Sequence, residues 1–172
     1  MLRPIICAIC LLLTLPLAAA ARTPNHAADW NGGEINWRDV RSGIYEASQT
    51  GRPVIMVFHA TWCSVCKRFR NVFKDPAVVT ASRDFVMILV DADAERDING
   101  AFSPDGTYVP RTLFIDSDGN VSDKLVGTDP QYPHSLNADK PDELLALMKK
   151  AHSVFSMDRQ SPSTPTPDPN RI

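Results

Sequence analysis

Three stretches of the chain place apolar residues at the spacing of a helix face. Steps of three, four and three residues join the apolar positions of the first stretch, which are Trp37, Val40, Ile44 and Ala47. The second stretch runs from residue 63 to about residue 74. The third begins at Pro141, and its first turn carries Asp142 and Glu143, where the helix dipole favours negative charge. The pattern therefore predicts three helices.

Short apolar runs between these helices are typical of buried strands. Residues 54–58 and 85–90 are continuous runs rich in β-branched side chains, and a third run covers residues 112–115. The turn-forming residues 116–120 predict a hairpin to a fourth strand around residues 121–126. Two buried strands that flank a helix imply a parallel pair with a right-handed crossover. We therefore predict an α/β fold, with a central mixed β-sheet and helices on both faces.

The two ends of the chain lack this periodicity. Residues 1–21 have the layout of a secretory signal peptide, because Arg3 is followed by an apolar stretch that ends in small residues. We predict that cleavage removes this segment. Residues 22–35 are polar and are predicted to form a flexible lead-in. Residues 36–157 form the predicted domain, and the proline-rich residues 158–172 are expected to be disordered. After cleavage no membrane association is expected, because no later window is apolar over the length of a span.

Charge and cysteine usage exclude several functions. The 172-residue chain has 18 basic and 20 acidic residues and no basic block, so nucleic acid is not expected as a partner. Of its four cysteines, Cys7 and Cys10 belong to the predicted signal peptide. The remaining pair, Cys63 and Cys66, is too small a set for a disulfide scaffold or a four-thiolate zinc site.

Cys63 and Cys66 form a Cys-x-x-Cys motif directly after a predicted buried strand and at the start of a predicted helix. At a helix N-terminus the free N–H groups and the positive end of the dipole stabilise a thiolate, which is the nucleophilic form of cysteine. Cys66 follows one turn later, within disulfide reach. Cys63 is therefore predicted to attack a client disulfide and Cys66 to resolve the mixed disulfide, and the reverse steps oxidise a client.

Two other interpretations of the cysteine pair compete with this one. A metal site needs more ligands than the pair supplies, and the nearest imidazole, His59, is expected to point along the strand end. A permanent structural disulfide would close a very small ring and constrain little chain entropy. We expect no metal and no organic cofactor. The other histidines, His26, His134 and His152, are interpreted as surface residues.

The segment from Trp62 to Lys67, which reads WCSVCK, resembles the active-site segment of the thioredoxin superfamily. Residues 102–111, which read FSPDGTYVPR, narrow the resemblance to the endoplasmic-reticulum group of thioredoxin domain-containing protein 12 and the anterior gradient proteins. The resemblance covers about residues 37–155. It implies a thioredoxin fold and a secretory-pathway thiol–disulfide oxidoreductase that reduces, forms or isomerises protein disulfides, with thiol- or disulfide-containing client proteins and glutathione as partners.

The resemblance also implies roles for single residues. Cys63 matches the attacking thiol and Cys66 the resolving thiol of a redox-active disulfide. Pro110 matches the cis-proline beside the dithiol, and the backbone of Val109 matches the segment that pairs with an extended client. Trp62 would shield one side of the dithiol.

The chain departs from the family pattern in three places. Thioredoxins and protein disulfide isomerases place a buried acid on the strand before the motif, where this chain has Val57. The spacer Ser64-Val65 differs from theirs, and residues 169–172 are not a retention tetrapeptide. Secretion, retention in the endoplasmic reticulum and a bacterial periplasm therefore remain alternatives. So does an anterior-gradient-like binding or chaperone module that captures partners through its cysteines.

One modification motif lies outside the predicted active site. Asn120-Val121-Ser122 is an acceptor sequence for N-glycosylation in a predicted turn. The sequence is an acceptor only if the protein enters a eukaryotic secretory pathway, and Asn120 is a glycosylation candidate on that condition.

Overall fold

The computed structural model describes residues 24–160. The predicted signal peptide (residues 1–21) and residues 161–172 of the predicted tail lie outside the described residues. The strands are β1 (Trp37–Arg38), β2 (Val54–His59), β3 (Val86–Asp91) and β4 (Arg111–Ile115). The helices are α1 (Val40–Thr50), α2 (Ser64–Phe69), α3 (Pro76–Ser82), α4 (Arg96–Ala101) and α5 (Asp142–Gln160). Short 3-10 helices cover Ala27–Trp30 and Val72–Lys74.

The strands form one mixed sheet in the order β1-β3-β2-β4. Strands β1 and β2 run parallel to β3, whereas β4 runs antiparallel to β2. Every residue of β2 is buried, as expected of a central strand covered on both faces. The predicted parallel pair is therefore present, and it is formed by β2 and β3.

Helices cover both faces of this sheet, as predicted. Alternate residues of β2 and β3 point to opposite faces, and each face has its own apolar cluster. One cluster joins Val54, Met56 and Phe58 to α1. The other joins Ile55 and Val57 to helices α2, α3 and α5. Among the described residues, no helix combines the length and the apolar character of a membrane span.

The part of the predicted lead-in that the structure describes, residues 24–35, is packed against the domain. Trp30 ends a 3-10 helix and is 2% exposed. Its backbone carbonyl accepts a hydrogen bond from the indole N–H of Trp37 at 2.6 Å, and its ring packs edge-on against Phe69 and Phe73. A single large aromatic residue buries enough area to order a segment without any apolar period.

Two helix boundaries differ from the predictions. Trp37 lies in β1, and α1 begins only at Val40, because the Asp39 side chain caps it by accepting the Ser42 N–H at 2.9 Å. The second predicted helix is broken into α2 and a 3-10 turn, and α3 then starts at Pro76 with Asp75 as its cap. Helix α4, which carries no buried residue, was not predicted.

The predicted fourth strand does not form. The turn after β4 does close, since the Asp116 carboxylate accepts the N–H groups of Asp118 and Asn120, but only one bridge, Ile115 to Val121, follows it. The chain beyond is held by side-chain hydrogen bonds instead. The Glu143 carboxylate accepts the backbone N–H groups of Thr128 and Asn137 at 2.8 and 2.6 Å. These contacts with α5 replace the ladder that a strand would need.

Trp30→Ala tests whether the segment before β1 belongs to the core. We expect a loss of about 3–5 kcal/mol in the free energy of unfolding, because the substitution leaves a cavity among three aromatic rings. Urea unfolding followed by circular dichroism measures the change. The matched control is Trp62→Ala, because Trp62 is 68% exposed, and it should change stability by less than about 0.5 kcal/mol. Equal midpoints for the two variants would contradict the packing described here.

Candidate active site

Cys63 and Cys66 form a disulfide where β2 leads into α2. Cys63 is the N-cap of α2, and its sulfur accepts the backbone N–H of Cys66 at 3.0 Å. The two Cα atoms are 5.2 Å apart, so one helical turn brings both cysteines together. A thiolate on Cys63 would therefore meet a backbone N–H donor and the positive end of α2.

The loop before β4 lies against this disulfide. The Val109 carbonyl oxygen is 3.6 Å from the Cys63 sulfur, and the Val109–Pro110 peptide bond is cis. Because Phe58 of β2 pairs with Arg111 of β4 in antiparallel register, the residues that precede Arg111 lie beside the end of β2. Sheet register thus brings together two segments that are over forty residues apart in sequence.

Arg111 holds that loop from inside the protein. It is fully buried, and its guanidinium donates to the carbonyls of Tyr108 and Phe102 at 2.9 and 3.0 Å and to the Asn99 side chain at 2.8 Å. Its guanidinium carbon is 4.1 Å from the centre of the Phe58 ring. Burial lowers the pKa of Arg111 below its ordinary value. In the sequence this arginine stands out only as part of a motif, although a charged residue that opens an apolar strand is a signal for such a role.

A second network fixes the outer side of the same loop. The Tyr108 hydroxyl donates to the Asp105 carboxylate, and His134 Nδ1 lies 3.0 Å from an oxygen of that carboxylate. Although burial alone raises it, the hydrogen bonds from Tyr108 and His134 bring the pKa of Asp105 below its usual value. His134 is 5% exposed. Its interpretation as a surface residue is therefore wrong, because its chain spacing gave no sign of the long-range partner Asp105.

Trp62 and Asn120 occupy different places relative to the disulfide. Trp62, next to Cys63 in the chain, is 68% exposed, and its indole N–H donates to the Asp93 carboxylate at 2.7 Å. Asn120 lies on the turn that follows β4, at the end of that strand away from Arg111. The Asn120 side-chain amide donates to the Asp116 carboxylate at 2.9 Å.

A cavity of about 280 Å³ lies on the Cys66 side of the disulfide. Its lining includes His26, Asp29, His59, Cys66, Lys67 and Arg70. His59 is 3% exposed, its ring lies 5.3 Å from that of Trp30, and its Nε2 has no hydrogen-bond partner among the described residues. Burial lowers the pKa of His59 to about 4, with Asp91 acting in the opposite direction. His59 is the last residue of β2, and its imidazole is buried inside the protein.

Within residues 24–157, no group of three or more His, Cys, Asp and Glu side chains is placed to hold a metal ion. Val57, at the position where the resemblance expects an acid, is fully buried in the same apolar cluster as Cys66.

The fold and the Cys63–Cys66 disulfide define a thioredoxin-like protein of the thiol oxidoreductase class. The profile of the thioredoxin-like family matches residues 36–117. The solution structure of a thioredoxin from Thermus thermophilus superposes with a TM-score of 0.58 at 18% identity, covering 73% of this chain and 93% of that one. At this identity the superposition shows the fold alone.

Sequence relatives place the chain more narrowly. Anterior gradient protein 2 of Xenopus laevis is 32% identical over 131 residues, covering 74% of this chain and 69% of the relative. The chain therefore belongs to the anterior gradient family, as the sequence resemblance indicated. The thiol:disulfide interchange protein DsbD of Ralstonia nicotianae is 37% identical over 87 residues, which are 48% of this chain and 14% of that protein.

The lowered pKa of His59 predicts a pH dependence of stability. The pKa of His59 is 6.5 in the unfolded chain and about 4 in the folded protein. At a pH between these two values, the unfolded chain binds a proton that the folded protein does not. Stability contributed by neutral His59 is therefore complete above pH 6.5 and is lost as the pH falls, by about 3 kcal/mol at pH 4. Urea unfolding from pH 7 to pH 4 should show this loss in the wild type and not in His59→Phe. Parallel curves would contradict the buried neutral imidazole.

Arg111→Lys tests the support of the loop. Lysine keeps the charge but not the planar fork, so we expect a loss of about 1.5–3 kcal/mol in the free energy of unfolding. Hydrogen exchange should also be faster in residues 99–110. The matched control is Arg96→Lys, because Arg96 is exposed and, among the described residues, its side chain donates a hydrogen bond only to the Asp93 carbonyl, at 3.3 Å. If both substitutions have the same small effect, Arg111 does not hold the loop.

Proposed function

We propose that this protein is a thiol–disulfide oxidoreductase of the secretory pathway that reduces, forms or isomerises disulfides in client proteins. The observation that carries the proposal is the Cys63–Cys66 disulfide at the start of α2, with the Val109 carbonyl 3.6 Å from the Cys63 sulfur. The name of the DsbD relative, a thiol:disulfide interchange protein, supports the same chemistry.

Cys63 is the attacking thiol in the proposed reaction, because its sulfur is the one that meets the Cys66 N–H and the N-terminus of α2. Its thiolate attacks one sulfur of a client disulfide, and the other client sulfur leaves as a thiolate that takes a proton from solvent. Cys66, as a thiolate, then attacks the Cys63 sulfur and releases the second client thiol. Two electrons pass to the client and the Cys63–Cys66 disulfide forms. Glutathione is the proposed partner that returns the electrons, two molecules becoming one glutathione disulfide.

The proposed client surface consists of Trp62, Val109 and Pro110. Exposed apolar area on Trp62, next to the attacking sulfur, provides a contact for a client side chain. The Asp93 hydrogen bond fixes the indole, so little side-chain entropy is lost on binding. Val109 contributes backbone groups that an extended client segment can pair with.

The proposed compartment follows from the predicted signal peptide over residues 1–21 and from membership in the anterior gradient family. We propose secretion or residence in the endoplasmic-reticulum lumen, where disulfides form and persist. Asn120 is the proposed glycosylation site in that compartment, on an exposed turn. A bacterial periplasm is the alternative location for the same chemistry.

The proposal predicts distinct phenotypes for the two cysteines. With glutathione as reductant, wild type should accelerate insulin reduction, whereas Cys63→Ser should not exceed the uncatalysed rate, because it lacks the nucleophile. Cys66→Ser should accumulate mixed disulfides with insulin chains, detected by non-reducing electrophoresis and mass spectrometry, because the resolving thiol is absent.

The Cys63→Ser variant is the control for the trapped species, since it should form none. If wild type is no faster than Cys63→Ser, catalysis by this motif is excluded. If wild type itself holds insulin chains without turnover, the protein is a binding module that captures partners through its cysteines, which is the second candidate function.

A further inference from the structure

Cys66 needs a proton acceptor to complete the proposed reaction. It is 2% exposed, and burial in apolar surroundings disfavours the thiolate that must attack Cys63. The strand position from which a carboxylate could act is occupied by Val57, which is fully buried beside Cys66 in the apolar cluster. Another group, either a side chain or water, must therefore take the proton.

The cavity beside Cys66 contains a candidate. Cys66 and His59 both line it, and the Nε2 of His59 is buried without a hydrogen-bond partner among the described residues. A buried polar atom without a partner is rare in folded proteins and calls for an explanation. The explanation would be that the Nε2 lone pair accepts a proton during the reaction.

Titratable and charged side chains lie between the buried His59 and the solvent. On β3, Asp91 is the register partner of His59. Before β1, the ring of His26 lies edge-on at 5.6 Å from the His59 ring, and its nitrogens are each 3.6 Å from a carboxylate, one of Asp29 and one of Asp91. Lys67 on α2 lines the cavity, and so does Arg70, which directly follows α2 and whose guanidinium is 3.5 Å from Asp29. His26 itself is exposed, so protons can exchange with water there.

We propose that His59 accepts the proton of the Cys66 thiol during resolution of the mixed disulfide, and that His26, with Asp29 and Asp91, passes it to solvent. This inference rests on the proposed function and specifies how its second step proceeds. The S–H bond of Cys66 breaks as the N–H bond of His59 forms, and the thiolate attacks the Cys63 sulfur. The client sulfur leaves and takes its proton from solvent, and His59 returns to the neutral state through His26. In the reverse direction, protonated His59 supplies the proton to the departing Cys66 sulfur.

The protonation state of His59 agrees with this role. Because its pKa is lowered to about 4, the imidazole is neutral at neutral pH with its lone pair free, and it is a weak base until nearby negative charge raises its pKa. The charge of Asp91 already acts to raise the pKa of His59, and the new thiolate would add a second negative charge that stabilises the imidazolium. The proton therefore moves only as the thiolate is formed.

Single-turnover kinetics with a disulfide-linked fluorescent peptide pair separate the two steps. Release of the first peptide reports attack by Cys63, and release of the second reports resolution by Cys66. His59→Phe keeps a ring in the core but removes the acceptor nitrogen. At pH 7 we expect it to slow the second release by about 100-fold, the lower end of the contribution of a general base, and to change the first by less than about twofold. Towards pH 9 the deficit should shrink, because the thiol ionises without help.

Two further variants complete the test. His152→Phe is the matched control, since His152 is exposed and, within the part of the chain that the structure describes, its ion pair is with Asp84, and it should leave both steps unchanged. His59→Ala opens the cavity, and added imidazole should restore part of the second step, an effect that a purely structural role would not produce. His26→Ala should slow the second step less than His59→Phe.

The outcomes distinguish the inference from the function on which it rests. If the first release is absent in wild type, the proposed oxidoreductase function fails. If the first release is normal and His59→Phe resolves as fast as wild type, only the role of His59 fails. Equal slowing of both steps, or a deficit that is constant from pH 6 to pH 9 and not relieved by imidazole, assigns His59 to packing and overturns the inference.

Discussion

The contact between the Cys63 sulfur and the Val109 carbonyl depends on the register of the sheet. Strand β2 is central, with α2 and its cysteines directly after its last residue, and β4 pairs with it so that Phe58 faces Arg111. The loop before β4 must therefore reach the N-terminus of α2. A slip of one residue in this pairing would turn Arg111 to the opposite face of the sheet and move Val109 away from the disulfide.

Two kinds of interaction maintain that contact. Apolar burial on both faces of β2 and β3 sets the sheet, while hydrogen bonds from a buried guanidinium and from the Asp105–Tyr108–His134 network hold the loop. Burying Arg111 with no carboxylate in hydrogen-bond contact among the described residues is costly in itself, and its contacts with backbone carbonyls and with the Phe58 ring offset that cost. Burial also bears on the choice of proton acceptor. Burying a neutral imidazole at His59 costs less free energy than burying a carboxylate at position 57 would.

Sequence patterns predicted the parts of the fold that depend on repeated burial. The runs at 54–58 and 85–90 became β2 and β3, and the Cys-x-x-Cys motif lies at the strand–helix junction where it was expected. Features that rest on one long-range partner were missed. Trp30 is buried although its segment has no periodic apolar pattern, and His134 is held by Asp105. In place of the expected fourth strand, backbone N–H groups donate to Glu143 on a distant helix. None of these contacts leaves a trace in local spacing.

The central claim is that the Cys63–Cys66 disulfide is redox-active, and equilibrium titration against graded mixtures of reduced and oxidised dithiothreitol tests it most directly. Alkylation and intact-mass measurement give the reduced fraction of the folded protein at each mixture. We predict a single reversible transition in which both cysteines are reduced together, as a two-electron couple requires. A disulfide that stays oxidised in every mixture while the protein remains folded would identify a permanent structural bond and contradict the account.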